Sequence, residues 1–580
     1  MIEFDTIIKD GMIVDGARNP RYRGDIGIKD GVIARIGKIA AERGKRVIDA
    51  SGLMVAPGFI DLHTHYDAQV FWDPYLSTSG FHGVTSVVLG NCGFGFAPMA
   101  PEMRERAMLS MTKVEAIPLV TMEAALPWDW VSYPEYLDSM DRAPKALNIL
   151  PYVPLNPLLI WTMGLEDAKA GRKPTDAEHA QMAKLLNEAM DAGACGWSAQ
   201  SLGQPGEPGT ETQGGAAQND FDGTPMPTDV MWPETRMAMA KVLGERGEGF
   251  IALSMGLAGP EEWEALADAS GAPMLWQALP PSGDDMGKGV RQYLFNWLDS
   301  CHQRGLKIYA QGITQDPPLV FTFDYFDLWG AVWNALVGPD VSREQKLANL
   351  NDPLQREKLR AAPLKYMFID AIDDTILHKT FSAQYKEFER SRLGDIAGKL
   401  GKHVVDIVCD IVAADELRTV FQTRQFDTTL EGVKELIDNP YIIPGLSDGG
   451  AHLKYLTAGS YGTEYISKFV REHKFTTLEE AHWRLSALPA FCAGFRDRGT
   501  LREGAAADII IYDYDKLTYT FPEFVTDLPG GEYRVTNQGL GYRYVLVNGA
   551  ITIEDDKPTH VHSGELLRNG KARKKADKAA

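Results

Sequence analysis

The segment PGFIDLHTHYD, residues 57–67, puts two histidines two positions apart at the end of an apolar run that follows a Pro-Gly turn. Side chains at i and i+2 of a strand point to the same face, so the imidazoles of His63 and His65 can meet one cation. Neutral imidazole is a good ligand for zinc and similar metals. A structural histidine pair is the plain alternative. Far downstream, IIPGLSDGGAHL, residues 442–453, ends a strand-like run at Ser447-Asp448, turns at Gly449-Gly450 and reaches His452. A carboxylate there can hold a metal and take a proton from a water whose pKa the metal lowers. By spacing alone it could equally cap the next helix; the upstream His-x-His pair favours chemistry. A third run, SVVLGNCGFGFAP, residues 86–98, closes on Cys92 between Asn91 and Gly93. A thiolate at a strand end can ligate zinc, against the usual reading of a free buried cysteine.

These groups lie hundreds of residues apart, so a fold must gather them. Between residues 58 and 490, short apolar runs (SVVLGN, ALNILPYV, GFIALS, APMLWQAL, LKIYAQG, YIIPGLSD) end in small or polar residues. Helical patterns separate several of them. One is TDAEHAQMAKLLNEAMDAG, with Pro174-Thr175-Asp176 to start it and Gly193 to stop it. Repeated β-then-α units predict a parallel sheet of the α/β class, and chemistry at strand C-termini fits a barrel enzyme. Residues 1–57 read as short strands: two runs around the Lys-Asp-Gly of FDTIIKDGMIVDG, a pair around the Asp-Gly of DIGIKDGVIARIG, and one more pair in KRVIDASGLMVAPG. Residues 491–568 have the same grammar, with a hairpin at the Asn-Gly of GYRYVLVNGAITIEDDK. One small β domain built from both termini, with the middle inserted, is the expectation. Residues 203–232 and 315–365 read as long loops, either of the lid or binding type or plain surface insertions, and residues 569–580 as a disordered basic tail.

The chain has 580 residues, 44% of them hydrophobic, and a formal net charge of −20. That charge argues against nucleic acid and anionic membranes as partners. No apolar run approaches the roughly 20 residues of a membrane helix, and the N-terminus has no apolar signal core. The expected location is therefore the cytoplasm. Five cysteines, an odd and sparse set, suit reduced thiols rather than a disulfide framework.

Taken in order, GFIDLHTHYD, GVTSVVLGNCGFGFAP, MTKVEAIP, WDWVSYPEYLDSMD, DAGACGWS and GLSDGGAH resemble the amidohydrolase superfamily, and within it the N-acyl-D-amino-acid deacylase (D-aminoacylase) branch. The likeness extends through DRGTLREGAAADIIIYD and the closing Asn-Gly hairpin, so it spans nearly the whole chain. It implies a (β/α)8 TIM-like barrel with a small β-sandwich formed by both termini, and a zinc centre of one or two ions, or another divalent metal. It implies His63, His65 and Cys92 as ligands, Asp448 as ligand and general acid/base, and Glu115 of the Val-Glu motif as a further ligand.

The sequence departs from that branch in two places. D-aminoacylases bring two more histidine ligands from the fifth and sixth strands. Here the corresponding runs, FIALS and MLWQAL, carry Ser254 and Gln277, and the only histidine between His179 and His378 is His302, ahead of a strand. Either one metal works alone, or Cys92 and Glu115 help to hold a second. In VPLNPLLIWTMG, Leu155 and Leu159 stand where relatives tend to show a histidine and an arginine, which argues against a free carboxylate in the substrate. The expected pocket combines Leu155, Leu159, Gln277, Gln311 and His452 with Trp276, and takes a small, largely apolar amide. Lys454 is the one cation placed to rescue a carboxylate. The rivals are a cyclic amide or ester hydrolase, an N-acyl-D-amino-acid deacylase proper, and an inactive barrel serving as a scaffold. A homo-oligomer is left open.

Overall fold

A computed structural model describes residues 2–201, 220–254, 259–365, 369–424 and 428–568. The basic tail and most of the Gly/Pro-rich run from 203 lie outside the described residues. The remainder of that run, residues 220–232, contains no helix or strand.

The N-terminal strands are β1 (Phe4–Ile13), β2 (Tyr22–Lys29), β3 (Val32–Gly37), β4 (Gly44–Asp49) and β5 (Met54–Pro57). Asp30-Gly31 makes the expected turn between β2 and β3. Lys9-Asp10-Gly11 does not turn: β1 runs straight through it and absorbs it as a register shift against β2 between Ile8 and Gly11, with Asp10 at φ 55°. A bulge and a tight turn want the same left-handed residue, so the dipeptide alone could not decide between them. β4 and β5 are not a hairpin either, since each lies parallel to β1.

The central chain supplies β6 (Phe59–Asp61), β7 (Val84–Leu89), β8 (Asn148–Pro151), β9 (Val153–Pro154), β10 (Gly196–Gln200), β11 (Phe250–Ser254), β12 (Met274–Leu279) and β13 (Ile308–Ile313). After them come β14 (Pro318–Phe321), β15 (Ile376–Lys379), β16 (Val420–Arg424) and β17 (Ile442–Gly445). The pairings β6-β7-β8 and β9-β10-β11-β12-β13-β17 are all parallel. One residue separates β8 from β9, and a parallel bridge from Thr64 to Gly449 links the chain after β6 to the chain after β17. Along these strands, side chains alternate between two cores. Ile60, Val88, Leu150, Phe250, Leu275 and Ile443 pack on one face of the ladder. Val87, Ile149, Ile251, Met274, Ile308 and Ile442 pack on the other, with the helices. The helix Asp176–Ala192 begins at a Thr175–Glu178 capping box and ends at Gly193, as its sequence predicts. No helix among the described residues is long and apolar enough to cross a membrane.

The stretch 315–365 is not a loop. It opens a folded insertion between β13 and β17, with the three-stranded sheet β14-β16-β15 and the helices Gly330–Val337, Arg343–Asn351 and Pro353–Ala361. Its aromatic residues form a separate core around Phe321, Phe323, Trp329, Trp333 and Phe421. The helices are short and capped by Ser342 and Asp352, so no apolar periodicity runs long enough to announce them.

The chain ends in β18 (Ile509–Tyr512), β19 (Thr518–Tyr519), β20 (Glu523–Leu528), β21 (Glu532–Thr536), β22 (Gly539–Leu540), β23 (Tyr542–Val547), β24 (Ala550–Glu554) and β25 (Lys557–Pro558). Here the two termini meet. β18 pairs with β5, β23 with β18, and β24 with β23 across the Asn548-Gly549 turn, giving one nine-stranded sheet. Its isoleucine-rich core draws Ile8, Ile26 and Ile33 from one end and Ile509, Ile511 and Leu546 from the other.

Candidate metal centre

His63 and His65 follow β6 and are 3% and 1% exposed. Their strand is pinned on both sides: the Thr64 hydroxyl donates to the Val88 carbonyl at 2.8 Å, and the His65 amide donates to the Gly449 carbonyl at 2.6 Å. Gly450 must be glycine here, because at φ +90° a Cβ would lie 2.6 Å from the His65 carbonyl oxygen. Cys92 closes the turn after β7 at φ 57°, with its Sγ 3.6 Å from His63 Nε2. The donor atoms of His63, His65 and Cys92 all lie within 4.8 Å of one another. Asp448, just past β17, brings Oδ1 to 3.2 Å from His65 Nε2 and 3.4 Å from His63 Nε2. Two imidazoles and a thiol form one cluster and the Asp448 carboxylate faces both imidazoles, a set of donors that suits zinc. The Nδ1 atoms of both histidines and Oε2 of Glu115 are buried without a hydrogen-bond partner. Unpaired buried polar atoms of this kind are costly, but both Nδ1 atoms face away from the centre, where the Nε2 atoms meet Cys92 and Asp448.

Glu115 ends the helix Arg104–Glu115 and is 2% exposed. Its Oε1 lies 3.6 Å from His65 Nδ1, the ring nitrogen turned away from Asp448, and its Oε2 lies 3.9 Å from His452 Nε2. It thus backs the ligand histidine and stands outside the three-residue donor cluster. His452 reaches Asp448 Oδ2 at 3.5 Å through Nε2 and pairs with the Tyr455 hydroxyl at 3.0 Å through Nδ1. The side chains of Asp448 and His452 are 19% and 20% exposed, so the centre opens on their side. Six non-glycine residues around it have positive φ: Cys92, Ala116, Ala278, Leu446, Asp448 and His452. Strain of this sort persists where function holds it.

The electrostatics follow from crowding. Burial would lower the His63 pKa, but the Cys92 and Asp448 charges outweigh it and raise it to about 9. Burial would raise the Cys92 thiol, but His63 beside it brings it down to about 6. Without a cation the pair leans toward imidazolium and thiolate, and binding a metal would use the thiolate and displace the imidazolium proton. Burial pushes Glu115 up to about 8 against the pull of His65. Burial would also raise Asp448, but hydrogen bonds from His63 and His65 hold it well below the usual carboxylate range.

Ser254, at the end of β11, and Gln277, within β12, stand on the far side of Cys92. Ser254 Oγ is 2.9 Å from Cys92 Sγ and donates to Gln277 Oε1 at 2.6 Å, while Gln277 Nε2 donates to Asn91 Oδ1 at 2.9 Å. Gln311 is buried on β13 with Oε1 unpartnered. Trp276, adjacent to Gln277, points the other way and packs on the outer core, a correction that follows from strand alternation. His302 is remote from the centre: it bonds to the Ile308 carbonyl and stacks on Tyr441 at 3.7 Å. Lys454 is no free cation, being 4% exposed, ion-paired with Glu532 and 3.7 Å above the Tyr533 ring.

Two cavities adjoin the centre. One of about 150 Å³ is lined by Asp448, Gln315, Ala278, Ile313, Leu446 and Leu456 among others. The other, about 370 Å³, begins at Phe94, whose ring is 6.2 Å from that of His65. Leu155 and Leu159 line neither: they are 1% and 3% exposed in the main core. On the same helix, Leu155–Met163, the wall residues are Asn156, Ile160 and Trp161. Leu155 and Leu159, expected in the pocket, thus face the core while other residues of their helix face the cavity.

Comparison with known proteins sets these residues in context. The profile described as "Amidohydrolase family" matches residues 46–553. The chain is similar to an N-acyl-D-glutamate deacylase of Alcaligenes xylosoxydans xylosoxydans, 27% identical, with 98% of this chain and 97% of the relative covered. It is also similar to the solved structure of N-acyl-D-glutamate deacylase from Bordetella bronchiseptica, complexed with zinc and a phosphonate inhibitor, at TM-score 0.62 and 26% identity over 98% of this chain and 100% of that one. A D-aminoacylase structure, described with a binuclear metal center, shares the fold at TM-score 0.64 and 21% identity over 98% and 100% of the two chains.

Proposed function

Because this chain belongs to the amidohydrolase family, and is a metal-dependent hydrolase of non-peptide C–N bonds of the N-acyl-amino-acid deacylase type, we propose that it cleaves neutral N-acyl amides at a single zinc ion held by His63, His65, Cys92 and Asp448. Architecturally, this reading takes the nine parallel strands, with β8 and β9 as one interrupted strand, as a closed (β/α)8 barrel, residues 58–490, beside a β-sandwich built from residues 1–57 and 491–568. Such a cation supplies Lewis acidity that polarises the scissile carbonyl and acidifies a water. Asp448, on the open side, takes the proton of the attacking water and returns it to the leaving nitrogen. His452 orients Asp448: with its Nδ1 accepting from the Tyr455 hydroxyl, Nε2 carries the hydrogen toward Oδ2. Ser254 and Gln277 stand on the strands where the two further histidine ligands of the D-aminoacylase branch are expected, and with Asn91 they form a chain of neutral groups that already satisfy one another.

The observation that carries the choice of substrate is the state of the nearby cations. Among the described residues, no lysine or arginine lines the cavity at Asp448. Arg106 in the larger cavity is ion-paired with both Asp220 and Asp222 at 2.7 Å. Lys454 is taken by Glu532. A substrate carboxylate would enter unpaired, at a cost of several kcal/mol. The test compares kcat/KM for an N-acyl-D-amino acid with that for its methyl ester and a neutral N-acyl anilide. The neutral compounds are expected to be turned over better by at least tenfold. A clear advantage of the free acid, abolished by Lys454→Met, replaces this reading with ordinary N-acyl-D-amino-acid deacylase activity.

A further inference from the structure

We infer that the 370 Å³ cavity beside the centre is the site of the substrate's acyl group, and that it selects medium-length apolar acyl chains. The inference deepens the neutral-amide reading and rests on it. Protein interiors contain few voids larger than a water, whereas a cavity of this size lies in the range of small-molecule sites. Its wall is mainly apolar and rich in methionine: Met99, Met103, Met111 and Met226, with Ile160 and Trp161. Unbranched thioether side chains adapt their shape to a flexible hydrocarbon. The one arginine in the wall, Arg106, is neutralised by its two aspartates.

Two features place the cavity next to the centre. Ala107 and Met111 line it, and Glu115 lies two turns further along the same helix. Residues at i, i+4 and i+8 share a helix face and span about 12 Å, so this face leads from the cavity wall to the carboxylate behind His65. Phe94, which lines the cavity, packs its ring against His65. Asn156, also in the cavity wall, carries an amide Nδ2 with no hydrogen-bond partner, 3.3 Å from where a Cβ would lie on Gly93, the residue after Cys92. An acyl chain in this cavity has its carbonyl end at the centre and leaves the amine side to the smaller cavity at Asp448.

The experiment measures kcat/KM of the zinc-loaded enzyme for the acetyl, hexanoyl and decanoyl amides of 4-nitroaniline. A fully buried methylene is worth about fourfold, so the decanoyl compound is expected to exceed the acetyl compound by at least tenfold. Ala107→Trp, which fills the cavity, is expected to lower the decanoyl-to-acetyl ratio at least tenfold. Trp161→Ala, at a side chain 40% exposed and so harmless to folding, is expected to lower it severalfold. A flat series in the wild-type enzyme overturns the inference. So does a ratio unchanged in Trp161→Ala and in Ala107→Trp with native melting temperature and zinc content. If N-acyl-D-amino acids outrun neutral anilides, the neutral-amide reading fails separately, and the same chain-length ratios measured on N-acyl-D-amino acids decide the cavity.

Discussion

Replacing Asp448 by asparagine keeps the shape of the side chain and removes its charge and basicity. In the structure one carboxylate does three things: it lies 3.2 and 3.4 Å from the imidazoles of His65 and His63 and 3.5 Å from His452. Loss of a general base costs on the order of 10²–10⁴ in rate, equivalent to about 3–5 kcal/mol of barrier, and the lost ligand adds to that. Asparagine still fills the turn, and φ 53° at this position is more tolerable for it than for most residues. The fold should therefore survive. The assay is kcat/KM on a neutral anilide, with zinc content by elemental analysis and far-UV circular dichroism on the same sample. We expect a native spectrum and turnover reduced at least a hundredfold. Less than tenfold loss in a folded, metal-loaded variant would refute the assignment and put the proton on another group, with His452 the first to examine.

Glu115→Gln should weaken zinc binding by about 10–100-fold, the usual effect of removing a carboxylate behind a ligand histidine. Chelator competition reads this directly, and unchanged affinity removes Glu115 from the centre. Acid stability should depend on two buried histidines remote from the metal. Burial lowers His82 to about 4 and His482 to about 3, so both stay neutral in the fold while the unfolded chain takes up protons below about 6.5. The unfolded state binds more protons, and stability should fall with decreasing pH from about 6.5 to about 4 by roughly 1.4 kcal/mol per pH unit for each histidine. Denaturant titrations across that range should show a shallower slope in His82→Gln, and an unaltered slope contradicts the assignment.

The centre was largely legible because its chemistry is written in strand ends. His63 and His65 are two apart just past β6, Cys92 lies in the turn after β7, and Asp448 follows β17, so the ends of apolar strand runs were enough to bring out the candidates. Glu115 sits at a helix end, where no spacing rule points to His65; only the family motif suggested it. Asn156 was missed because it lies between Leu155 and Leu159 in a run that reads as apolar throughout, and which face of such a helix meets a cavity is settled by tertiary packing. The insertion escaped for a related reason. Its core is aromatic and assembled from helices of two or three turns, too short for amphipathic periodicity to stand out. At Lys9-Asp10-Gly11 the left-handed conformation was readable, but whether the chain reverses there depends on the partner strand β2.

The most direct test of the central claim is zinc K-edge X-ray absorption on the purified enzyme, with metal content measured on the same sample. One zinc per chain is expected, with one sulfur neighbour at about 2.3 Å and nitrogen or oxygen neighbours at about 2.0–2.2 Å. Cys92→Ser should remove the sulfur shell. Two zincs per chain with a metal–metal scattering path, or a single zinc whose sulfur shell persists in Cys92→Ser, would contradict the account.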